Sequence, residues 1–310
     1  MTRIFIDGKA GTTGLRIYER LEERDDVELL SLSDEERKDP AARKRMLNSC
    51  DVAFLCLPDD AARESVSFIE NDKVVVIDTS TAHRTDPEWA YGFPELSPEH
   101  EERIRSSKRI AVPGCHACGF IALVYPLVKE GIIDKSLLLS CHSITGYSGG
   151  GKKMIADYES DGRDGLLSAP RQYGIAQTHK HLKEMRAISG IDEFPAFSPI
   201  VSDFYSGMVM SVPLFASQLK SGKSAEDVKA VYKKYYGTAI VSYKESIDEG
   251  GFISANARSG KDSMEITVCG NGYRMMLIAR YDNLGKGASG AAVECLNLVI
   301  GADKESGLSL

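Results

Sequence analysis

Short apolar runs alternate with amphipathic or charged stretches over the first third of the chain. Four of the runs have the length of strands: 3–7, 27–32, 51–57 and 73–78. The last two are apolar almost throughout, which is typical of parallel strands buried on both faces. Between the first two runs, Leu15, Tyr18 and Leu21 lie at helical spacing. The alternation predicts an α/β fold built on a Rossmann-like parallel sheet.

Local signals refine the helices of this first part. The charged stretch 34–48 is expected to be helical, with Pro40 interrupting it because proline lacks an amide hydrogen. Pro58, followed by Asp59 and Asp60, marks the start of another helix.

The pattern changes after residue 115. The strand candidates become longer and more alternating: 136–144, 207–215, 264–269 and 273–281. Gly270, Asn271 and Gly272 give a strong hairpin signal between the last two. Ser224 opens a helix, and the apolar segment 290–300 predicts a closing helix. This half is expected to be α+β, with a mixed, largely antiparallel sheet and helices on one side.

These patterns predict two domains. The first comprises residues 1–114 together with 287–310, and the second comprises residues 115–286. A chain of 310 residues with 43% hydrophobic content is long enough for two cores. The first domain is expected to bind a nucleotide cofactor, and the second to carry the catalytic and substrate contacts and a dimerisation surface.

Composition excludes several classes of function. The net charge is −7 and no basic cluster dominates, which argues against a nucleic-acid partner. No apolar run approaches the roughly 20 residues that span a bilayer, so a membrane partner is not expected either. The seven cysteines are odd in number and scattered. Together with the lack of a visible targeting segment, they indicate a reducing, cytoplasmic location.

A cysteine stands where a short strand gives way to a helix. The run 110–112 ends at Pro113 and Gly114, Cys115 follows, and the apolar segment 120–128 predicts a helix. Free backbone N–H groups and the positive end of the helix dipole meet at such a turn. They favour the nucleophilic thiolate and can hold an oxyanion. Cys115 is therefore predicted to be a covalent catalyst.

Other interpretations of Cys115 remain open at this point. Most cysteines are small buried side chains with no chemical role. Cys115 and Cys118 also have the spacing of a redox dithiol or of half a zinc site. The sequence contains no second pair at this spacing that would complete a tetrahedral site, so no metal is expected.

A glycine-rich turn follows the first strand. Its glycines depart from the Rossmann spacing in the first interval, but a strand precedes the turn and an amphipathic helix follows it. Such a turn lets the backbone approach a pyrophosphate, whose charge the helix N-terminus binds. The residues expected to hold the cofactor here are Gly8, Gly11, Thr12, Thr13 and Gly14.

The end of the second strand bears on the choice between NAD and NADP. Ser31 and Ser33 lie there, and Arg37 and Lys38 follow. Hydroxyl and basic groups accommodate a ribose 2′-phosphate, which favours NADP. Asp34 leaves the alternative open, because an acidic residue at this place can bind the ribose 2′-hydroxyl of NAD.

Four segments resemble motifs of a known family. Residues 76–84 resemble a segment ending in Asp-Phe-Arg, and 91–96 resemble Tyr-Gly-Leu-Pro-Glu-Leu. Residues 112–115 resemble Asn-Pro-Gly-Cys, with Val112 in place of Asn, and 282–290 resemble a closing cofactor-side motif. In this order, nearly end to end, they resemble the semialdehyde dehydrogenase superfamily, and within it the short-form N-acetyl-γ-glutamyl-phosphate reductases of arginine biosynthesis.

The resemblance implies a reaction. N-acetyl-γ-glutamyl phosphate would be reduced by NADPH to the semialdehyde, with release of phosphate, through a thioester on Cys115. Asn283, Gly285 and Gly287 would lie on the cofactor side. Two alternatives stay open: another semialdehyde dehydrogenase, such as one acting on aspartate semialdehyde, and a non-catalytic regulator that senses nucleotides.

The resemblance also assigns further site residues. Residues 178–184 resemble the family's His-Arg-His-Thr-Pro-Glu segment, which makes His179 the acid–base group and His181 the reserve. His116 is not expected in this role, because adjacent side chains seldom point at one another. The residues expected to bind the anions of the acyl-phosphate substrate are Arg84, Lys152 and Arg171. We also expect a homo-oligomer, either a dimer or a tetramer.

Overall fold

The computed structural model describes residues 1–33 and 35–310, which form two compact units. One unit comprises Met1–Gly114 and Ala288–Leu308, and the other comprises Cys115–Gly287 and Ser309–Leu310. Asp34, considered above as a ribose contact, lies outside the described residues. None of the helices in the described part of the chain is long and apolar enough to cross a membrane.

The elements of the first unit alternate between strand and helix. In chain order they are β1 (Thr2–Asp7), α1 (Thr12–Leu21), β2 (Val27–Leu30), α2 (Pro40–Ser49), β3 (Val52–Leu55), α3 (Asp59–Ser67), β4 (Val75–Asp78), β5 (Ala90–Tyr91), α4 (Pro98–Ser106) and β6 (Arg109–Ala111).

The second unit contains the longer strands. Its elements are α5 (Cys115–Lys129), β7 (Ser140–Gly146), α6 (Gly151–Glu159), β8 (Arg171–Gln172), α7 (His181–Ser189), β9 (Ala196–Ser202), β10 (Met208–Phe215), α8 (Ala225–Tyr235), β11 (Val241–Tyr243), β12 (Met264–Gly270) and β13 (Arg274–Tyr281). The chain then returns to the first unit with α9 (Gly290–Ile300).

The first unit is built on a parallel sheet with the strand order β2-β1-β3-β4-β6-β5. Successive residues of β1 point to different cores: Ile4 and Ile6 pack with α1, α4 and α9, and Phe5 packs with α2 and α3. Apolar side chains on both faces explain why the strands read as continuous apolar runs. The predicted Rossmann-like sheet is confirmed.

Pro40 does not interrupt the helix expected over 34–48, as the sequence suggested, but begins it. It is the first residue of α2, where the missing amide hydrogen costs no helical bond. The Asp39 carboxylate caps this end by accepting hydrogen bonds from Ala41 N, at 3.0 Å, and from Ala42 N, at 3.3 Å. A separate short 3₁₀ turn, Glu36–Lys38, precedes the cap.

The second unit is built on a mixed sheet with the strand order β11-β12-β13-β10-β7-β9-β8. Four of its six strand pairs are antiparallel, as expected. In β10, Met210 and Val212 are buried and Ser211 and Pro213 are partly exposed, because α5 and α8 cover one face of the sheet. The α+β prediction is therefore confirmed.

Several elements of this unit differ from the sequence-based prediction. The strand expected over 136–144 begins only at Ser140. The sequence pattern did not predict β9, which contains Ser198 and Pro199 and has weak strand propensity. It nevertheless pairs in parallel with β7 over seven residues. A pairing of that length outweighs local preference. The helix expected over 120–128 begins five residues earlier, at Cys115.

Candidate active site

Cys115 is half-buried and is the first residue of α5. The Tyr281 hydroxyl of β13 donates a 2.6 Å hydrogen bond to the Cys115 carbonyl oxygen and accepts a 3.1 Å hydrogen bond from Gly119 N. In an α-helix those two backbone groups would pair with each other. The hydroxyl is therefore inserted into the first turn and anchors the start of α5 to the sheet.

Two glycines allow close packing around the start of α5, one against Tyr281 and one against Cys115. A Cβ added to Gly119 would lie 2.5 Å from the Tyr281 hydroxyl, which no side chain can tolerate. A Cβ added to Gly287 would lie 3.1 Å from the Cys115 Cβ. Gly287, expected on the cofactor side, thus lies directly against the backbone of Cys115.

Three histidine rings cluster in the second unit. The His116 ring centroid lies 5.5 Å from that of His179 and 5.6 Å from that of His181, and the His179 and His181 centroids are 4.8 Å apart. The Phe197 ring lies 5.2 Å from both His116 and His179. His116 was not expected in this cluster from the sequence, and the assignment of the acid–base role to His179 rather than His116 stays a prediction.

His116 is held on both sides of its ring. Nδ1 lies 2.7 Å from the Ser143 Oγ, and Nε2 lies 2.5 Å from the Tyr173 hydroxyl oxygen. Burial, with a smaller contribution from His179, lowers the pKa of His116 to about 3. His116 is therefore a neutral, fixed ring at neutral pH.

Tyr173 interacts with both Cys115 and the histidine cluster. Burial raises the pKa of the Tyr173 hydroxyl, and the negative charge of Cys115 raises it further. Because Tyr173 also touches His116, the nucleophile candidate and the histidine cluster form one polar site. Tyr173 was missed by the sequence analysis, since no local pattern marks it.

His179 is the more open of the two histidines that the resemblance suggested. Its ring is half-buried, whereas His181 is buried at the start of α7. His179 Nδ1 accepts a 3.3 Å hydrogen bond from His181 N, so the neutral ring carries its proton on Nε2. Burial, and to a smaller extent the charge of Lys180, lowers the pKa of His179.

The three residues expected to bind substrate anions are not equivalent. Lys152, in the first turn of α6, and Arg171, in β8, are exposed in the second unit. Arg84 is buried in the first unit, where its guanidinium donates 2.8 Å hydrogen bonds to the carbonyl oxygens of Val112 and Thr79. These two bonds hold the chain just before Pro113, and an anion contact of Arg84 stays a prediction.

The first unit contains a cleft of about 580 Å³. It lies at the carboxyl ends of β1, β2 and β3, where the strand order reverses direction and where such sheets bind their ligands. Its lining includes Gly8, Lys9, Ser31, Arg37 and Lys38. Ser31 and Arg37, expected to accommodate a 2′-phosphate, therefore share one cleft with Gly8 of the glycine turn. The other residues expected to hold the cofactor in this unit do not line it: Gly11, Thr12, Thr13, Gly14 and Ser33.

The glycine turn itself depends on Gly8. Gly8 has a φ of +88°, and a Cβ there would lie 2.3 Å from the Cys56 carbonyl oxygen. Gly11 caps α1 without a side-chain acceptor, so the first N–H groups of that helix, from Thr12 and Thr13 onward, need acceptors from elsewhere. This arrangement fits a pyrophosphate.

Ser33, Asn283 and Gly285 have contacts within their own units, and their predicted contacts with the cofactor stay predictions. The Ser33 Oγ lies 3.1 Å from the Glu36 carboxylate, a contact that holds the turn carrying Arg37. Asn283 donates to the Ser148 Oγ at 3.0 Å and accepts from Gly207 N at 2.9 Å. A Cβ on Gly285 would lie 2.0 Å from the Lys261 carbonyl oxygen. These contacts give Asn283 and Gly285 structural roles in the second unit.

Cys118 lies one helical turn after Cys115 in α5. Its thiol is buried and donates to the Lys286 carbonyl oxygen at 3.6 Å. All seven cysteines are free thiols. Over residues 1–33 and 35–310, the structure contains no group of three or more side chains arranged to hold a metal ion.

Comparison with known proteins identifies the family. The semialdehyde dehydrogenase NAD-binding domain matches residues 3–104, and the semialdehyde dehydrogenase dimerisation domain matches residues 115–283. The chain belongs to the semialdehyde dehydrogenase family. The resemblance drawn from the four sequence motifs is thereby confirmed.

Relatives of similar length refine this placement within the semialdehyde dehydrogenases. A protein of Trichormus variabilis named N-acetyl-gamma-glutamyl-phosphate reductase is 44% identical, over 99% of this chain and 99% of its own. A Chelativorans protein of the same name is 46% identical, over 96% and 98%. A solved aspartate semialdehyde dehydrogenase II of Vibrio cholerae shares the fold, with a TM-score of 0.72 and 17% identity over 97% and 98% of the two chains.

The Tyr281 bridge makes a testable prediction about stability. Tyr281→Phe removes a buried hydroxyl that bonds two backbone groups of α5, and it should lower the free energy of unfolding by about 1–3 kcal/mol. Urea denaturation measures this change. Tyr273→Phe is the matched control, because the Tyr273 side chain is 81% exposed. Equal stabilities for the two variants would contradict a structural role for the bridge.

Proposed function

We propose that this chain reduces N-acetyl-γ-glutamyl phosphate to N-acetylglutamate semialdehyde and phosphate, with NADPH as the reductant, as a step of arginine biosynthesis. The observation that carries the proposal is the position of Cys115 at the start of α5, beside a cluster of histidines and Tyr173. The shared name of relatives at 44% and 46% identity supports this substrate over an aspartyl phosphate.

Cys115 begins the reaction as the nucleophile. Its thiolate attacks the acyl carbon, a carbon–sulfur bond forms, the carbon–oxygen bond to phosphate breaks, and inorganic phosphate leaves. The N–H groups at the start of α5 stabilise the negative oxygen that forms during the attack. The product is a thioester on Cys115, which accepts a hydride more readily than a carboxylate does.

Reduction of the thioester releases the product. Bound NADPH would supply the hydride to the thioester carbon. His179 is the acid–base group in this proposal, and its Nε2 holds a proton towards the substrate oxygen as negative charge builds there. The Cys115 sulfur then leaves as thiolate, and the aldehyde forms. Lys152 and Arg171 are the candidates for binding the anionic groups of the substrate.

The decisive experiment compares two substrates. The purified chain should oxidise NADPH with N-acetyl-γ-glutamyl phosphate at least about tenfold faster than with aspartyl phosphate, a difference of about 1.4 kcal/mol in transition-state stabilisation. Cys115→Ser should abolish turnover while leaving NADPH affinity intact, because the cofactor cleft lies in the other unit. Cys269→Ser, at a half-buried cysteine of β12, is the matched control.

Three outcomes would count against the proposal. Activity of Cys115→Ser would refute the thioester. Faster turnover of aspartyl phosphate would make the chain an aspartate-semialdehyde dehydrogenase. NADPH binding with no turnover of either substrate would favour a nucleotide-sensing regulator.

NADP is the proposed cofactor, rather than NAD. Ser31, Arg37 and Lys38 line the cleft together with Gly8 and Lys9, which supports a 2′-phosphate between the hydroxyl and the two cations. The parallel-sheet unit, with α9, would thus be the NADP-binding domain. Residues 115–286 would carry catalysis, substrate binding and subunit contacts.

Arg37 tests the cofactor preference. Arg37→Ala should raise the Kd for NADPH about tenfold, because it removes a charge-assisted bond to phosphate, and should change the Kd for NADH less than about twofold. Fluorescence titration of both cofactors measures the two constants. Arg63→Ala is the control, at an exposed arginine of α3 that does not line the cleft. An equal loss of NADPH and NADH affinity in Arg37→Ala would contradict a 2′-phosphate contact.

Assembly and location complete the proposal. We propose a homo-oligomer, a dimer or a tetramer, because the second unit matches a dimerisation domain and exposes Ile144, Phe215 and Met276 on its sheet. The seven free thiols support work in the reducing cytoplasm.

A further inference from the structure

The loop between β8 and α7 leaves the sheet and contains His179. Arg171 and Gln172 pair with β9, and Tyr173 N donates a 3.0 Å hydrogen bond to the Pro199 carbonyl oxygen. At Gly174, with a φ of +61°, the backbone turns away. Phe197, two residues before Pro199 in β9, therefore no longer faces a strand backbone on this side.

The side chain of Gln177 takes the place of the missing strand. Its Nε2 donates to the Phe197 carbonyl oxygen at 2.7 Å, and its Oε1 accepts from Phe197 N at 2.8 Å. The two bonds reproduce the reciprocal pair that a strand residue would make. The loop is thus fastened to β9 by one amide side chain, after its backbone pairing has ended.

The backbone of Gln177 is held in an uncommon conformation. Its φ is +54°, and in the described part of the chain it is the only residue besides glycine with a positive φ. Such a conformation persists where the surroundings determine it, and it concentrates at functional sites. Here the determinants are the two bonds to Phe197 and a 2.9 Å bond from Gln177 N to the Gly174 carbonyl oxygen.

We propose that Gln177 is a positioning residue for His179. His179 follows two residues later, and its ring packs 5.2 Å from the ring of Phe197, the same residue whose backbone Gln177 holds. The amide therefore fixes the loop and one wall of the His179 site together. This inference rests on the proposed function, in which His179 handles the proton.

The test is a double-mutant cycle. Gln177→Ala should lower kcat by about tenfold or more and leave the KM for NADPH within about twofold, since misplacement of a catalytic group costs rate. In a His179→Gln background, the same substitution should change kcat less than about twofold, because the positioned group is gone. Gln218→Ala is the matched control, because Gln218 Oε1 also accepts from a backbone N–H, that of Phe215 at 2.7 Å.

A second readout does not depend on turnover. Burial lowers the pKa of His179, so a loosened, hydrated loop should raise that pKa towards the ordinary value of about 6.5. An NMR titration of the imidazole in wild type, Gln177→Ala and Gln218→Ala measures this shift. This titration reports whether Gln177 positions His179 even if the chain turns over neither acyl phosphate. Failure of this inference can therefore be distinguished from failure of the proposed function.

Gln177→Glu guards against a folding defect in the alanine variant. It keeps the acceptor for Phe197 N and loses the donor to the Phe197 carbonyl oxygen, so the loss of kcat should be intermediate. Unchanged kcat and an unchanged His179 pKa in Gln177→Ala, or an equal loss of kcat in the His179→Gln background, would overturn the inference.

Discussion

The site depends on how the first turn of α5 is held. Burial raises the pKa of Tyr281 well above that of free tyrosine, and the nearby Cys118 and Cys115 raise it further, so the hydroxyl stays protonated and can donate. It donates to the Cys115 carbonyl oxygen and accepts from Gly119 N. The Tyr281 side chain of β13 therefore fixes the position of Cys115, the nucleophile candidate, at the first residue of α5. The absence of a side chain at Gly119 makes that contact possible.

The remaining parts of the site are placed by the same sheet. Ser143 of β7 holds one nitrogen of His116, and Tyr173, at the end of β8, holds the other. Phe197 of β9 packs against His116 and His179. Neighbouring strands therefore position a neutral buried histidine, whose ring lies beside the more open His179. A rigid neutral ring at this place adds no charge to compete with proton transfer at His179.

The sequence predicted those parts of the site that depend on neighbouring residues, and it missed those that depend on contacts between residues distant along the chain. Local patterns were sufficient for the parallel sheet and for the placement of Cys115 at a helix start. Buried strands are visible as apolar runs, and the turn at Pro113 and Gly114 is visible from its residue types. Local patterns were insufficient for β9, for His116 and for Gln177. The strand forms through its pairing with β7, and the partners of the two side chains lie 27 and 20 residues away along the chain. Arg84 is another such case, since its motif does not reveal that its guanidinium binds the backbone carbonyl oxygens of Val112 and Thr79.

The central claim is that Cys115 carries the acyl group during the reaction, and peptide mass spectrometry tests it most directly. The protein is mixed with N-acetyl-γ-glutamyl phosphate without NADPH, quenched in acid and digested. The account predicts one N-acetylglutamyl adduct per chain, on the peptide containing Cys115, which hydroxylamine or NADPH removes. An unmodified Cys115 in a chain that still turns over, or an adduct on another side chain, would contradict it.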